Sequence, residues 1–216
     1  MNTKLVALYF LDQILSLACA GVALFWSAIA VWLVWFTAVD ILILRFNPDL
    51  MAERLAPPKG AKAWDRAILS IIRLPELVRY ILAGLDQRYG WTGDFPLAAQ
   101  IVALTVCVLS TALFAWAMAS NTFFSQVVRI QSDRGHAVAT GGPYRYVRHP
   151  AYIGTILFEL AISTLLASWW AIIAGGLCAI LLILRTALED RTLQAELTGY
   201  IEYVHQVHYR LIPGIW

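Results

Sequence analysis

Long apolar runs separated by short polar loops constrain this chain more than any other feature. A helix needs about 20 mostly apolar residues to cross a hydrocarbon core of roughly 30 Å. The run from Leu5 to Leu44 is about twice that length, which predicts two spans with a turn near Cys19-Ala20-Gly21. A further span is expected from Pro96 to Ala119, where the proline suits a first helical turn. The run from Tyr152 to Leu184 again exceeds one crossing, with a turn expected at Ser168-Trp169-Trp170.

The composition agrees with a membrane protein. The chain is 60% hydrophobic and 14% charged, whereas soluble domains have about 25% charged and 45–50% apolar residues. The net charge of +2, with no basic run interleaved with aromatics, argues against a nucleic-acid partner. Membrane lipids are the expected surroundings, and the expected fold is all-α, a polytopic transmembrane helical bundle.

The segment Ala67–Leu85 decides how many times the chain crosses. It contains Arg73, Pro75, Glu76 and Arg79, which suits an interfacial helix, and would then leave five crossings. If the segment crosses, every basic loop lies on one side together with both termini, as the positive-inside rule prefers. We therefore favour six crossings, with both termini and the basic loops in the cytoplasm. Arg73, Glu76 and Arg79 share one helix face and are expected to pair inside the bundle.

Two regions with different content are expected within one compact bundle. Residues 1–120 hold the N-terminal transmembrane helices. Residues 121–216 hold the last two spans, the motifs that carry chemistry and a C-terminal helix and tail. We expect the second region to form one structural unit.

The first cluster of polar and aromatic residues lies between Arg134 and Gly154. It reads RGHAVAT followed by GGPYRYVRHPAYIG. Two turn signals precede a proline that can open a helix, whose N-terminus would present free backbone N–H groups to an anion. Taken singly, Arg145 and Arg148 suit snorkelling to headgroups, and His149 suits a satisfied interfacial histidine.

The second cluster lies where the last span leaves the membrane. Arg185 and Glu189 are four residues apart on one helix face, so they suit either a functional site or a structural ion pair. Gly199-Tyr200 and Tyr203 follow. His205 and His208 have no evident third ligand, so no metal site is predicted.

Together the two clusters resemble the isoprenylcysteine carboxyl methyltransferase and phospholipid methyltransferase superfamily of integral membrane enzymes. The resemblance covers roughly Asn121–Pro213. It includes an Arg-His-Pro-x-Tyr-x-Gly core at Arg148–Gly154, an Arg-x-x-x-Glu-acidic-x-x-Leu element at Arg185–Leu193, and a Gly-x-x-Tyr-like tail that opens with Gly199-Tyr200. The acidic pair here is Glu189-Asp190, where two glutamates are usual.

The resemblance implies S-adenosylmethionine bound at the cytosolic end of the last spans. The positions matching the family's cofactor-contacting residues are His136, Ala137, Val138, Ala139, Tyr144, His149, Pro150, Ala151, Tyr152 and Glu189. Arg185 matches an arginine assigned to the methyl acceptor's side, so Arg185 and Glu189 are the expected catalytic pair. Arg185 would orient an anionic acceptor through a bidentate clamp. An amine or neutral thiol would instead need a base, with His149 or Glu189 as candidates.

The acceptor is expected to be lipophilic, because the spans give it lateral entry from the bilayer. A prenylated cysteine, a lipid amine, a small thiol and a quinone-like compound remain open. Two other functions compete with methyl transfer. Sterol-reductase-like membrane enzymes also carry a histidine-containing aromatic turn between their last spans and bind NADPH. A non-enzymatic transporter or scaffold would account for the ionisable residues of Ala67–Leu85.

Overall fold

The computed structural model describes residues 60–216, together with 33, 34, 37, 38, 40, 41 and 45. The two spans expected between Leu5 and Leu44 therefore lie outside the described residues, apart from these isolated positions. Every regular element from residue 60 onward is helical, as expected. The α-helices are α1 (Ala63–Tyr89), α2 (Leu97–Ala119), α3 (Pro150–Leu165), α4 (Trp169–Glu196) and α5 (Tyr200–Gln206).

Local sequence signals set the helix boundaries. Gly90 ends α1 in a left-handed conformation and donates its N–H to Asp86 O at 2.7 Å. Pro96 lies immediately before α2 rather than within its first turn. Pro150 is the first residue of α3, where its missing N–H costs nothing. Ser168 caps α4 by accepting from Ala171 N at 3.3 Å. The turn expected at Ser168-Trp169-Trp170 lies slightly earlier, at residues 166–168, because this cap starts α4 at Trp169.

Two of the described helices, α2 and α4, are long and apolar enough to cross a membrane. Their outward faces carry apolar side chains that are more than half exposed, among them Ile101, Val108, Ile173 and Ile180. Such faces suit lipid. The 16-residue α3 is apolar but shorter, and packs between α2 and α4.

The close packing of α3 depends on small residues. A Cβ at Gly154 would lie 2.8 Å from the Ser110 carbonyl oxygen of α2. A Cβ at Gly175 would lie 2.2 Å from Ser163 Oγ and 2.9 Å from the Glu159 carbonyl oxygen of α3. Membrane helices commonly approach through such small residues, because lipid provides no hydrophobic drive for their association.

Helix α1 runs antiparallel to α4 along most of its length and includes all of Ala67–Leu85. Its first turn contacts the end of α4 through Asp65 and Arg185, whose Oδ1 and Nε are 2.6 Å apart. At its other end, Asp86 accepts a hydrogen bond from Ser168, the residue that caps the start of α4. A helix of 27 residues is about 40 Å long, which is enough to cross a bilayer.

The charged residues of α1 pair in two separate ways, which refines the expectation of a shared cluster inside the bundle. Arg73 and Glu76 form a pair at the surface, with Nη1 and Oε2 3.3 Å apart. Arg79 is buried and donates to Glu159 Oε2 of α3 at 2.5 Å and to Ser163 Oγ at 3.3 Å. Arg79 therefore pairs inside the bundle with a partner from α3, whereas Arg73 is exposed.

Candidate active site

The start of α3 is fixed by the C-terminal tail. The backbone N–H groups of Arg148 and His149 donate to the carbonyl oxygens of Tyr209 and Arg210, both at 2.9 Å. These two bonds resemble a short ladder between the tail and the Arg-His-Pro segment. The tail therefore holds in place the segment that leads into α3.

Asp190, on the last turns of α4, connects the tail and the Arg-His-Pro segment through hydrogen bonds to both. Its carboxylate is fully buried. It accepts hydrogen bonds from Arg148 Nε (2.8 Å) and Nη2 (3.1 Å), Arg210 Nε (2.7 Å), Gln194 Nε2 (2.7 Å) and Tyr200 Oη (3.0 Å). Burial alone would lower the pKa of Arg148, but the hydrogen bond to Asp190 and the charge of Asp190 raise it overall. Arg148 is therefore an internal cation and does not snorkel to headgroups.

The hydrogen bonds around His149 assign its tautomer. Its Nε2 lies 3.2 Å from Asp190 Oδ1 and 3.3 Å from the Tyr200 hydroxyl. A carboxylate only accepts, and the Tyr200 proton already points to Asp190, so Nε2 carries a proton. Within the described residues Nδ1 has no hydrogen-bond partner. A neutral His149 therefore presents Nδ1 as an acceptor.

Several of the expected cofactor residues meet on one apolar cluster. Val138, Ala139 and Ala151 pack against a group of buried side chains that includes Tyr144, Leu197, Tyr200 and Tyr203. The Tyr203 hydroxyl donates to the Tyr144 carbonyl oxygen at 2.7 Å. Burial raises the pKa of the Tyr144, Tyr200 and Tyr203 phenols, which are therefore neutral. The fold thus brings together the 136–144 and 149–152 stretches.

His136 occupies the edge of this region. It is half-buried against the Phe123 ring, with centroids 4.8 Å apart, and its Nδ1 accepts from the backbone N–H of Gln131 at 3.2 Å. Burial, and then the charge of Arg129, lower the pKa of His136. Ala137 is exposed beside it.

Glu189 is held by the tyrosine of the Arg-His-Pro-x-Tyr core. The Tyr152 hydroxyl donates to Glu189 Oε2 at 2.5 Å. The charge of Glu189 partly opposes the lowering of the His136 pKa and adds to the raised pKa of Tyr144. Glu189 therefore interacts electrostatically with both side chains. Among the described residues, Glu189 Oε1 has no hydrogen-bond partner. One carboxylate oxygen therefore remains for a ligand.

Arg185 does not pair with Glu189, so the structural ion pair considered for these two residues is not formed. Its Nε and Nη2 donate to Asp65 Oδ1 and Oδ2 at 2.6 and 3.3 Å, and Nη2 also donates to Gln126 O at 2.7 Å. The guanidinium lies over the Tyr152 ring, 5.4 Å from its centroid. The bidentate edge predicted for the acceptor is thus occupied by Asp65, because a buried carboxylate needs a partner.

Part of the chain also matches a known protein family. Residues 101–195 match the model of the isoprenylcysteine carboxyl methyltransferase family. The resemblance to that family is confirmed. The matched segment contains α3, most of α2 and α4, and every residue proposed above for the cofactor and the acceptor. No curated protein sequence gives a match.

The fold is also similar to that of a solved methyltransferase. The structure of the eukaryotic intramembrane Ras methyltransferase, an isoprenylcysteine carboxyl methyltransferase, superposes with a TM-score of 0.69 at 19% sequence identity. The alignment covers 95% of this chain and 73% of the solved one. At this identity the similarity shows the fold. The family match over residues 101–195 supports a membrane methyltransferase.

Two acidic residues central to this family-like site were not predicted from the sequence. Asp65 stands alone in the first turn of α1, and no spacing links it to Arg185. Asp190 was noticed only as the neighbour of Glu189. A signal did exist for Asp190, because Arg148, Gln194 and Arg210 flank the same motifs and a buried acid there would need cations.

Proposed function

We propose that this chain is an S-adenosylmethionine-dependent methyltransferase that acts on a lipophilic acceptor in the membrane. The observation that carries the proposal is the convergence of two sequence-separated stretches, 136–144 and 149–152, with Glu189 at the end of α4. This convergence lies within the segment that matches the methyltransferase family.

The residues present fit this cofactor. S-adenosylmethionine has a zwitterionic amino-acid end with a cationic ammonium group, a cationic sulfonium and an aromatic base. Glu189 Oε1 and His149 Nδ1, which have no partner among the described residues, offer acceptors to the polar end. Val138, Ala139 and Ala151 form an apolar surface, with Tyr144 buried behind them, that suits the base. We propose that His136–Ala139, Tyr144, His149–Tyr152 and Glu189 hold the cofactor.

The chain's own residues would align the reactants. When bound, S-adenosylmethionine supplies an electrophilic methyl group whose bond to sulfur breaks as the acceptor attacks. Tyr152 fixes Glu189 through their 2.5 Å hydrogen bond, and Arg185 is assigned to the acceptor. Alignment of this kind contributes about 7–11 kcal/mol in well-oriented systems. A carboxylate acceptor needs no base, whereas an amine or neutral thiol would need a base to take up its proton.

The surroundings of the site support a lipophilic acceptor. Arg185 lies on α4, and the outer face of the preceding turns is apolar and exposed, at Ile173, Leu177 and Ile180. A lipophilic acceptor would reach it laterally, while the cofactor enters from the aqueous phase. Because the similar solved structure is named for isoprenylcysteine, we propose an S-prenylated cysteine carboxylate as the first acceptor to test, followed by lipid amines and thiols.

Ligand binding tests the proposal first. Detergent-purified protein is titrated with S-adenosylmethionine, S-adenosylhomocysteine and NADPH in parallel while its thermal unfolding is followed. A ligand that binds only the native state stabilises it by about 2.7 kcal/mol at 100 times its dissociation constant. We expect both adenosyl compounds to stabilise the wild type and the control Glu202→Ala, whose residue is exposed on α5. We expect Glu189→Ala to lose this effect.

Transfer of a labelled methyl group to the acceptor panel completes the test. Stabilisation by NADPH alone would indicate a reductase. If none of the three ligands stabilised the protein, the proposal would be contradicted and the transporter or scaffold alternative would be restored. Equal stabilisation of Glu189→Ala and wild type would leave the class intact but remove Glu189 from the site.

A further inference from the structure

Asp65 lies at the centre of contacts that connect α1 to the proposed acceptor side. Its carboxylate is fully buried, although the residue belongs to the first turn of a helix. Oδ1 accepts from Arg185 Nε at 2.6 Å, and Oδ2 accepts from Arg185 Nη2 at 3.3 Å and from Val128 N at 2.8 Å. A carboxylate with this arrangement fixes the plane of a guanidinium as well as its position.

The contacts leave one end of the Arg185 guanidinium available. Nε donates to Asp65, and the two N–H bonds of Nη2 point to Asp65 and to Gln126 O. Within the described part of the chain, Nη1 has no hydrogen-bond partner. The Tyr152 ring beneath the guanidinium, which holds Glu189 through its hydroxyl, limits the remaining rotation.

We propose that Asp65 is the positioning residue for Arg185, and that it directs the Nη1 end alone toward the acceptor. The inference rests on the proposed methyl transfer. It assigns Asp65 no contact with either reactant. Because Asp65 neutralises the guanidinium, Nη1 binds the acceptor as an oriented hydrogen-bond donor rather than as an uncompensated cation.

The connection through Val128 gives this positioning a second consequence. Asp65 accepts from Val128 N, and Arg185 donates to Gln126 O, so the two side chains together hold the backbone that leads to Gln131 and the His136 stretch assigned to the cofactor. The same buried carboxylate therefore fixes Arg185 and contacts this backbone. Without it, the flexible Arg185 side chain would have to find its orientation in each turnover.

The test compares two buried aspartates on the same helix. Asp65→Asn keeps the shape and an acceptor oxygen but removes the charge. Asp86→Asn does the same at the opposite end of α1, where Asp86 accepts from Thr92 N at 2.7 Å and from Ser168. For each variant, thermal unfolding, S-adenosylmethionine affinity, and kcat and KM are measured with the acceptor that turns over in the panel.

We expect Asp65→Asn to lower kcat/KM for the acceptor by about 10–100-fold, as when an outer-shell partner that orients a metal ligand is removed. Its S-adenosylmethionine affinity should stay within about threefold of the wild type, because the asparagine oxygen can still accept from Val128 N. Asp86→Asn should lower the melting temperature and leave kcat/KM near the wild-type value. If Asp65→Asn does not fold, Asp65→Glu keeps the charge one methylene further out and should lower kcat/KM in folded protein.

A double-mutant cycle separates positioning from a merely structural role. In an Arg185→Lys background, which cannot form the fork, Asp65→Asn should change kcat/KM by less than about threefold. The inference would be overturned, while the proposed function stands, if the effects of the Asp65 and Arg185 substitutions on kcat/KM simply multiplied. It would also be overturned if Asp65→Asn, like Asp86→Asn, lowered only the melting temperature. A wild type that binds no S-adenosylmethionine, or methylates no acceptor, would overturn the proposed function and the inference with it.

Discussion

Single buried polar groups determine much of the site's chemistry, and His136 is the clearest case. Its Nδ1 accepts from the Gln131 backbone N–H, a bond that requires this nitrogen to be unprotonated. Burial and the nearby Arg129 charge lower its pKa from the ordinary value of 6.5. The folded state therefore prefers the neutral ring, whereas the unfolded chain takes up a proton near pH 6.5.

The sign of the resulting pH dependence is fixed. Because the unfolded state binds the extra proton, the stability contributed by neutral His136 is present above about pH 6.5 and is lost as the pH falls toward the lowered folded pKa. We expect the melting temperature of the wild type to fall more steeply between about pH 7.5 and 5.5 than that of His136→Gln. Thermal unfolding of both proteins, measured across this pH interval, tests the prediction. Parallel plots of melting temperature against pH would contradict the assignment of a neutral His136.

At the scale of the helices, adjacent glycines on α4 provide a matched pair. A Cβ at Gly175 would overlap Ser163 Oγ and the Glu159 backbone oxygen, whereas a Cβ at Gly176 meets nothing within 4 Å. We expect Gly175→Ala to destabilise by about 1–3 kcal/mol, because α3 and α4 must move apart. Gly176→Ala should be neutral or slightly stabilising. Thermal unfolding of both variants decides; equal effects would mean that α3 and α4 do not pack this closely.

The helices also show what could and could not be predicted from the sequence. Their bounds follow from local signals, such as Pro150 opening α3 and Ser168 capping α4, so the span and turn predictions were close. The partners of Asp65 and Arg79 lie 120 and 80 positions away in sequence. Such pairs depend on which helices pack together, and a single sequence does not contain that information. The residues proposed for the cofactor could be named from the sequence because they lie in local motifs, and their role stays a prediction.

At the scale of the whole molecule, the part that the structure describes, residues 60–216, has two chemically different ends. The starts of α1 and α3 and the end of α4 form the site end, where Arg66, Arg134, Arg145 and Arg191 are exposed. The opposite end carries exposed aromatic residues in contact with one another: Trp91 lies 5.7 Å from Tyr89 and 6.4 Å from Trp170, between ring centroids. Aromatic belts and basic cytoplasmic loops occupy such positions in membrane proteins. We therefore predict that the site end is cytoplasmic and that α1 crosses.

Cysteine labelling in sealed vesicles of known orientation tests this topology. In a background with Cys19, Cys107 and Cys178 replaced by serine, Arg66→Cys and Arg88→Cys place exposed thiols in the first and last turns of α1. A membrane-impermeant maleimide should reach the first only from the cytoplasmic side and the second only from the other. Arg191→Cys, near the end of α4, should label from the same side as Arg66→Cys, because Asp65 and Arg185 hold the start of α1 against this part of α4.

Labelling of both α1 positions from one side would make α1 interfacial and leave five crossings. The antiparallel contacts from Asp65 to Asp86 argue against that outcome, since α1 would then have to leave α4, its partner at both ends.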